Sequence, residues 1–461
     1  MDLIIKNGKI VTGQKSFIAD IAIEKGIIKS IGPGIDAQAK ETIDASGMLI
    51  LPGVIDAHVH FQLPAGGTVS CDDFENGTKA AACGGVTTII DFAHQEKGHS
   101  LAEAIELRRA EANGRVAIDY SLHAAITDWN EKTRAELENI IAEGIPTFKM
   151  YMVYAKQGLM SDDAAIFSAL EETSKFGGMV TVHAESAGVL DLLIARYHTS
   201  EMMKKYGAYC HPLSRPNFVE AEAVSRAVTW AEGTGGRLYI VHLTTARSAN
   251  IVHNAKLRGV KVHAETCPHY LLLDDSVFQR PDGYLYATCP PIRKQIDSER
   301  LWAGLLSGDI ETAATDTCTF NIRQKAVWGG DFTKIPYGLP GVETLLPLMY
   351  TYGVGKKGLT ENQLVEILSE KPSKLMGLYP SKGAIQVGSD ADLVVFDPDR
   401  KVKLSHKNLQ TNCDWSPYEG FELTGYPHLT ISRGSIVARQ GKFVGKVGHG
   451  RFIGRGPVRD L

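Results

Sequence analysis

Residues 51–60, Leu51-Pro-Gly-Val-Ile-Asp-Ala-His-Val-His60, decide how the rest of the chain is read. An apolar run ends in two histidines one residue apart. Successive side chains of a strand point to opposite faces, so His58 and His60 point the same way, and Val54 and Asp56 share that face. Two imidazoles side by side at a strand end can grip a metal ion. An ordinary strand end with two polar residues is spelled the same way, so the surrounding sequence has to separate the two.

Outward from that stretch, residues 53–381 alternate strand-like apolar runs with helical runs. Strands are expected over 54–60, 86–92, 118–124, 147–152, 179–185, 238–242, 260–266 and 312–316. Helices are expected over 101–113, 131–143, 164–176, 218–230, 246–257 and 298–306. Eight strands alternating with helices predict an α/β chain built on a (β/α)8 TIM barrel. A doubly wound open sheet is the alternative, but no GxGxxG turn follows the first strand, so a dinucleotide site has no support. Residues 1–52 and 382–440 differ in texture. They hold short β segments closed by turn residues, such as Asp20-Ile-Ala-Ile-Glu-Lys-Gly and Leu429-Thr-Ile-Ser-Arg-Gly. Two β-rich ends around a different middle predict a smaller β-sandwich-like domain built from both termini. Residues 441–461, rich in glycine and basic side chains, read as a C-terminal arm, either solvated or packed on a neighbouring subunit.

Composition bounds the function. At 461 residues, with 44% apolar and 22% charged residues, the chain suits a large barrel plus an extra domain. A formal net charge of −4 leaves no basic footprint for nucleic acid. The seven cysteines are scattered and form no CxxC pair, as expected of reduced cytosolic thiols. The start, Met1-Asp-Leu-Ile-Ile-Lys, has no basic region followed by a long apolar run, and nothing approaches a membrane span. A cytoplasmic protein without a membrane partner is expected.

Polar residues sit at or near the C-terminal ends of the expected strands, the face of a barrel where active sites gather. His58 and His60 end the first, Lys149 lies in the fourth, His183 in the fifth, His242 in the sixth and Asp316 in the eighth. One such histidine is usually a satisfied core residue. Four histidines, a lysine and an aspartate on one rim would be costly to bury without compensating charge. Counting ligands suggests two metal ions: His58, His60 and Asp316 for one, His183 and His242 for the other. Imidazole nitrogen and carboxylate oxygen suit Zn2+. Lys149 can bridge two dications only as an anion. Their repulsion favours its neutral amine, which can take up carbon dioxide to give a carbamate. Pairing of Lys149 with Asp316 is the plain alternative. A hydroxide bridging the ions would attack a carbonyl carbon, with Asp316 carrying its proton to the leaving nitrogen. Tyr154, just after the fourth strand, is a candidate oxyanion donor, or a packed rim tyrosine.

These motifs, with Phe148-Lys149, His183-Ala-Glu185, Glu265-Thr-Cys-Pro-His-Tyr-Leu, Cys289-Pro-Pro-Ile-Arg293, Ala314-Thr-Asp316 and Gly388-Ser-Asp-Ala-Asp-Leu-Val, run nearly end to end through the chain. Together they resemble the cyclic amidohydrolases of the amidohydrolase superfamily, closest to dihydropyrimidinases and hydantoinases. The resemblance implies a binuclear zinc site with His58, His60, carbamylated Lys149, His183, His242 and Asp316 as ligands, Tyr154 as oxyanion donor, and a homotetramer whose C-terminal arms contact neighbours. Similar dihydroorotases and allantoinases carry an arginine soon after the HxH motif. Here Phe61-Gln-Leu-Pro-Ala-Gly-Gly has none, which favours a neutral cyclic diamide as substrate. By resemblance, main-chain groups at Cys289 and Tyr337 hold the ring amide. Three departures bear on pocket shape: Thr317 stands where the pattern has histidine, Cys289 where it has serine, Tyr337 where it has asparagine. Loops 61–73, 92–99 and 154–161 are expected to meet the exocyclic substituent through Leu63, Val69, Phe92, His94 and Leu159, with His94 alternatively a solvated loop residue. The other readings are an allantoinase or dihydroorotase, and a non-catalytic dihydropyrimidinase-related scaffold, from which the six ligand positions argue away.

Overall fold

The computed structural model of the protein describes residues 1–458 and 461; residues 459 and 460 of the expected arm lie outside the described residues. Eight parallel strands form the barrel: β1 (Val54–Asp56), β2 (Val86–His94), β3 (Asp119–Ala125), β4 (Thr147–Tyr151), β5 (Met179–His183), β6 (Leu238–Ile240), β7 (Val262–Thr266) and β8 (Thr312–Ala313). They pair in chain order, and a parallel bridge between Val59 and Thr317 joins the first to the last. Nearly all their side chains are buried, as expected of parallel strands covered by helices outside and side-chain layers inside.

Helices form where the sequence supplies a starter. Leu101–Ala112 begins with a capping box between Ser100 and Glu103, Glu131–Ala142 with Asn130, and Asp163–Lys175 with Asp162, each side chain accepting the first free backbone N–H groups. Phe74–Cys83, capped by Asp73, fills the gap after β1. The sequence did not predict this helix, whose buried face holds Phe74, Gly77, Thr78, Ala80, Ala81, Ala82 and Cys83.

Regular pairing stops earlier than the apolar runs suggest. β1 ends at Asp56, β6 at Ile240 and β8 at Ala313, so His58, His60, His242 and Asp316 stand just past the strands. The reason lies in the polar residues themselves. Asp56 accepts hydrogen bonds from Thr315 N (3.0 Å) and His58 N (3.3 Å), which turns the backbone toward the rim before pairing can continue.

The two ends of the chain meet in one nine-stranded sheet. Leu393–Lys403 runs antiparallel to Leu49–Pro52, which feeds β1 directly, and the N-terminal strands extend from there. Ile5, Ile21, Ile50, Val395 and Ile431 form its core. The C-terminal segment lies on its own barrel: Phe452 bridges beside Tyr120 of β3, Ile453 N bonds Tyr120 O at 2.8 Å, and Arg455 is buried against Leu122 O and Thr147 Oγ1. Gly450 permits this docking, because a Cβ there would stand 1.9 Å from Ile118 O.

Candidate active site

On the C-terminal rim, three donor atoms converge. His58 Nε2 and His60 Nε2 are 3.2 Å apart, and each is 3.2 Å from Asp316 Oδ1. A triangle of that side has its centre about 1.85 Å from each corner (3.2 divided by √3), just inside the roughly 2.0–2.2 Å that a zinc-like ion keeps from nitrogen and oxygen ligands. The donor set therefore fits a small divalent cation.

The electrostatics agree. Burial pushes the imidazolium forms of His58 and His242 well below the ordinary histidine range, so both rings are neutral electron-pair donors at pH 7. Asp316 is buried too, yet the imidazoles of His58, His60 and His242 hold its carboxyl far below the usual carboxylate range. Glu265 of β7 fixes the His58 ring by accepting from Nδ1, which leaves Nε2 to the triangle. The same carboxylate receives Tyr239 O–H at 2.9 Å and His242 N–H at 3.2 Å, and burial pushes it up to about 8.

Beside the triangle, the His183 and His242 rings lie 4.7 Å apart, centroid to centroid, at 70°. His183 Nε2 is 2.8 Å from Glu185 Oε2. Although Glu185 is buried, Arg215 and His183 hold its carboxyl down at about 2, so it stays ionised. Lys149 is buried between the two groups. Its Nζ rests 5.1 Å from the Phe92 ring centroid and 5.2 Å from that of Tyr151, and burial lowers its pKa to about 8. Among the described residues it makes no ion pair, so the alternative pairing with Asp316 is not formed. His60 Nδ1 and His242 Nδ1 are buried without hydrogen-bond partners. His242, Asp316 and Tyr154 all have left-handed backbones, with φ of 40°, 49° and 71°. Non-glycine residues avoid that region, and such strain gathers at functional sites.

His58, His60, Lys149, Tyr154, His183, His242 and Asp316 open into one cleft of about 1550 Å3, which Leu63, Val69, Phe92, His94, Leu159, Cys289 and Tyr337 also line. Every candidate residue of the sequence thus meets in one place, but two sit differently than expected. Phe92 and His94 belong to β2, not to a loop, because β2 stays paired to β3 as far as His94 and Ala125. Phe92 is a buried platform stacked 4.6 Å from the His60 ring. His94 is not a solvated loop residue: it hydrogen-bonds Tyr151 Oη at 2.8 Å, and burial lowers it to about 3. Tyr337 stacks on His211 at 4.8 Å, with the Arg215 guanidinium 5.5 Å from its ring. Thr317 is buried at the barrel seam, where its hydroxyl bonds Thr315 Oγ1 at 2.8 Å. Sequence reasoning missed the roles of Glu265, Tyr239 and Arg215. The signal for Glu265 was present, an acidic residue inside the apolar strand at 262–266.

Residues 49–437 match the amidohydrolase family, and the chain belongs to it. It is 41% identical over 463 aligned positions to the D-hydantoinase of Geobacillus stearothermophilus, covering 99% of this chain and 97% of that protein. It is 38% identical over 462 positions to the D-phenylhydantoinase of Escherichia coli (strain K12), covering 99% of each. The crystal structure of dihydropyrimidinase from Brevibacillus agri NCHU1002 superposes with a TM-score of 0.97, at 38% identity and full coverage of both chains. The family and the donor triangle together make this a hydrolase that uses divalent metal ions.

Proposed function

We propose that the protein opens the ring of dihydropyrimidines or 5-substituted hydantoins, hydrolysing a cyclic amide to an N-carbamoyl amino acid. The observation that carries this reading is the meeting of His58, His60 and Asp316 donor atoms at 3.2 Å on the floor of an enclosed cleft. The names of the relatives, D-hydantoinase, D-phenylhydantoinase and dihydropyrimidinase, span the same two ring classes.

His58, His60 and Asp316 would hold one zinc ion and His183 and His242 a second, with Lys149 as a carbamate completing the site. When bound, the ions supply hydroxide at neutral pH and polarise the amide carbonyl. The lowered Lys149 pKa supports carbamate formation, because a neutral amine is the form that bonds to carbon dioxide. Asp316 takes the proton of the attacking oxygen and delivers it to the ring nitrogen as the C–N bond breaks. Burial keeps the Tyr154 phenol protonated, so it donates to the developing oxyanion. Main-chain groups at Cys289 and Tyr337 hold the ring amide, while Leu63, Val69 and Leu159 face the exocyclic substituent and choose the enantiomer. The working form is a cytoplasmic homotetramer, with a catalytic barrel of 53–381 and a small domain of 1–52 and 382–440.

The test is one substrate panel run with metal analysis on the purified protein. Opening of dihydrouracil or of alkyl and aryl hydantoins, with near two zinc ions per subunit, is the expected result. Activity confined to allantoin or dihydroorotate would replace the substrate assignment, and a metal-free, inert protein would replace the enzyme with a scaffold.

A further inference from the structure

Two of the seven cysteines stand together outside the catalytic rim. Cys71 lies at the base of loop 61–73, and Cys413 in a segment of the C-terminal part of the chain. Both are tied to consecutive residues of one strand-like stretch: Cys71 N bonds Thr319 O at 2.7 Å, and Cys413 Sγ bonds Phe320 O at 3.4 Å. Their flanks are laced together as well. Asn412 N reaches Asp72 Oδ1 at 2.7 Å, Thr411 Oγ1 reaches Asp72 Oδ2 at 2.6 Å, and Asn412 Nδ2 reaches Cys71 O at 3.1 Å. Each thiol shifts the acidity of the other across this seam, Cys413 lowering that of Cys71 and Cys71 raising that of Cys413. Cys413 is buried, whereas Cys71 is half-buried and within reach of a small reagent.

We propose that Cys71 and Cys413 are a thiol-oxidation site whose disulfide fastens the neck of loop 61–73 to the C-terminal segment. The loop's outer part, the hairpin of Pro64–Ala65 and Thr68–Val69, lines the mouth of the cleft, so the bond restrains the wall through which substrate passes. The oxidant is a low-mass disulfide. The Cys71 thiolate attacks it and displaces one thiol; the Cys413 sulfur then attacks Cys71 and displaces the second. Two S–H bonds are lost and one S–S bond forms. The two electrons and two protons leave with the reduced reagent. The neighbouring Cys413 side chain holds the Cys71 thiol below its ordinary range, which favours the attacking thiolate. Burial pushes the thiols of Cys83 and Cys210 the other way.

The metal-loaded protein is treated with oxidised glutathione, and its thiols are counted in denaturant. A fall from seven thiols to five is expected, with one Cys71–Cys413 peptide pair in the digest, reversed by dithiothreitol and absent from Cys71→Ser and Cys413→Ser. Amide exchange over residues 61–73 should slow in the oxidised protein and recover on reduction. Seven titratable thiols after treatment, or a glutathione adduct on Cys71 without the cross-link, would overturn the site. A cross-link that leaves exchange of the loop unchanged would overturn its effect on the cleft wall. The mapping is done on the unaltered protein, so it holds even if either serine variant misfolds.

Discussion

Two clusters of ligand-type side chains lie at opposite ends of the barrel, and they are built in opposite ways. On the C-terminal rim, His58, His60 and Asp316 bring three donor atoms together with no cationic side chain among them. At the N-terminal start of β3, Asp119, Asp390 and Asp392 form a second cluster, but Lys382 Nζ fills it at 2.6, 2.9 and 2.6 Å. Arg433 adds a second cation 3.0 Å from Asp119. Three carboxylates need a charge close to +3 to be buried together, and here the chain supplies most of it from its own side chains. The rim mixes imidazoles with one carboxylate and, among the described residues, leaves buried nitrogens unpaired, so it asks for a cation from outside. Residue type alone does not make a metal site. The absence of a resident ammonium does, and Lys149, buried beside the rim, is held where burial weakens its charge.

The contrast breaks most visibly at Lys149. Lys149→Ala should release metal and cut turnover by three orders of magnitude or more, since the ions are asked to supply the nucleophile. Millimolar acetate or propionate should restore part of both by lending a bridging carboxylate. Metal content by plasma emission and initial rates check this, and full metal retention without rescue would remove the carbamate. Next in size is Tyr154→Phe, which should lower kcat about 10²–10³-fold with metal content unchanged, the loss typical of one oxyanion donor. Glu265→Gln is smaller. The ring of His58 keeps a hydrogen-bonding neighbour but loses the carboxyl that orients it, so metal affinity or activity should fall about 10–100-fold. Competition with a chelator reads the affinity directly.

The rim was legible in the sequence because each of its residues is a polar letter at the end of an apolar run. His58, His183 and His242 are conspicuous for that reason, and strand order in a barrel brings successive ends to one face. What lies behind the rim was less legible. Glu265 belongs to a motif, but its bond to His58 needs the closed barrel to set β7 and β1 on either side of β8, and spacing along the chain does not encode that. The strand ends ran long because Asp56 stops β1 through bonds to Thr315, a residue of the far end of the barrel. Phe74–Cys83 was not predicted, and its buried face is mostly alanine, glycine and threonine beside Phe74 and Cys83. The lower triangle was invisible. Asp119 belongs to a strand start, Asp390 and Asp392 to a turn, and nothing local distinguishes them from solvated carboxylates.

That lower triangle gives the smallest effect on catalysis and the sharpest test of the comparison. Lys382→Met should leave turnover per folded molecule and metal content unchanged, because the site lies at the far end of the barrel. It should cost about 3–5 kcal/mol of stability, the usual penalty for removing one partner of a buried ion pair. Against the burial that would lower it, Asp392, Asp119 and Asp390 raise the Lys382 pKa above the ordinary lysine value. Its contribution is therefore complete below the unfolded pKa of about 10.4 and is lost as pH rises through the folded one. Asp119 moves the other way: against burial, Lys382 and Arg433 hold its carboxyl down, so its contribution is complete above about pH 4 and lost as pH falls through the folded pKa. Urea denaturation across pH should show the variant's deficit widest between those limits and shrinking toward both. Removing the ammonium also turns the lower triangle into the kind of site the rim already is. Millimolar calcium or magnesium, which oxygen ligands prefer, should then raise the Tm of Lys382→Met and leave the unaltered protein where it was. A variant as stable as the parent, or one that no divalent ion stabilises, would show that the lysine is not what separates the two clusters.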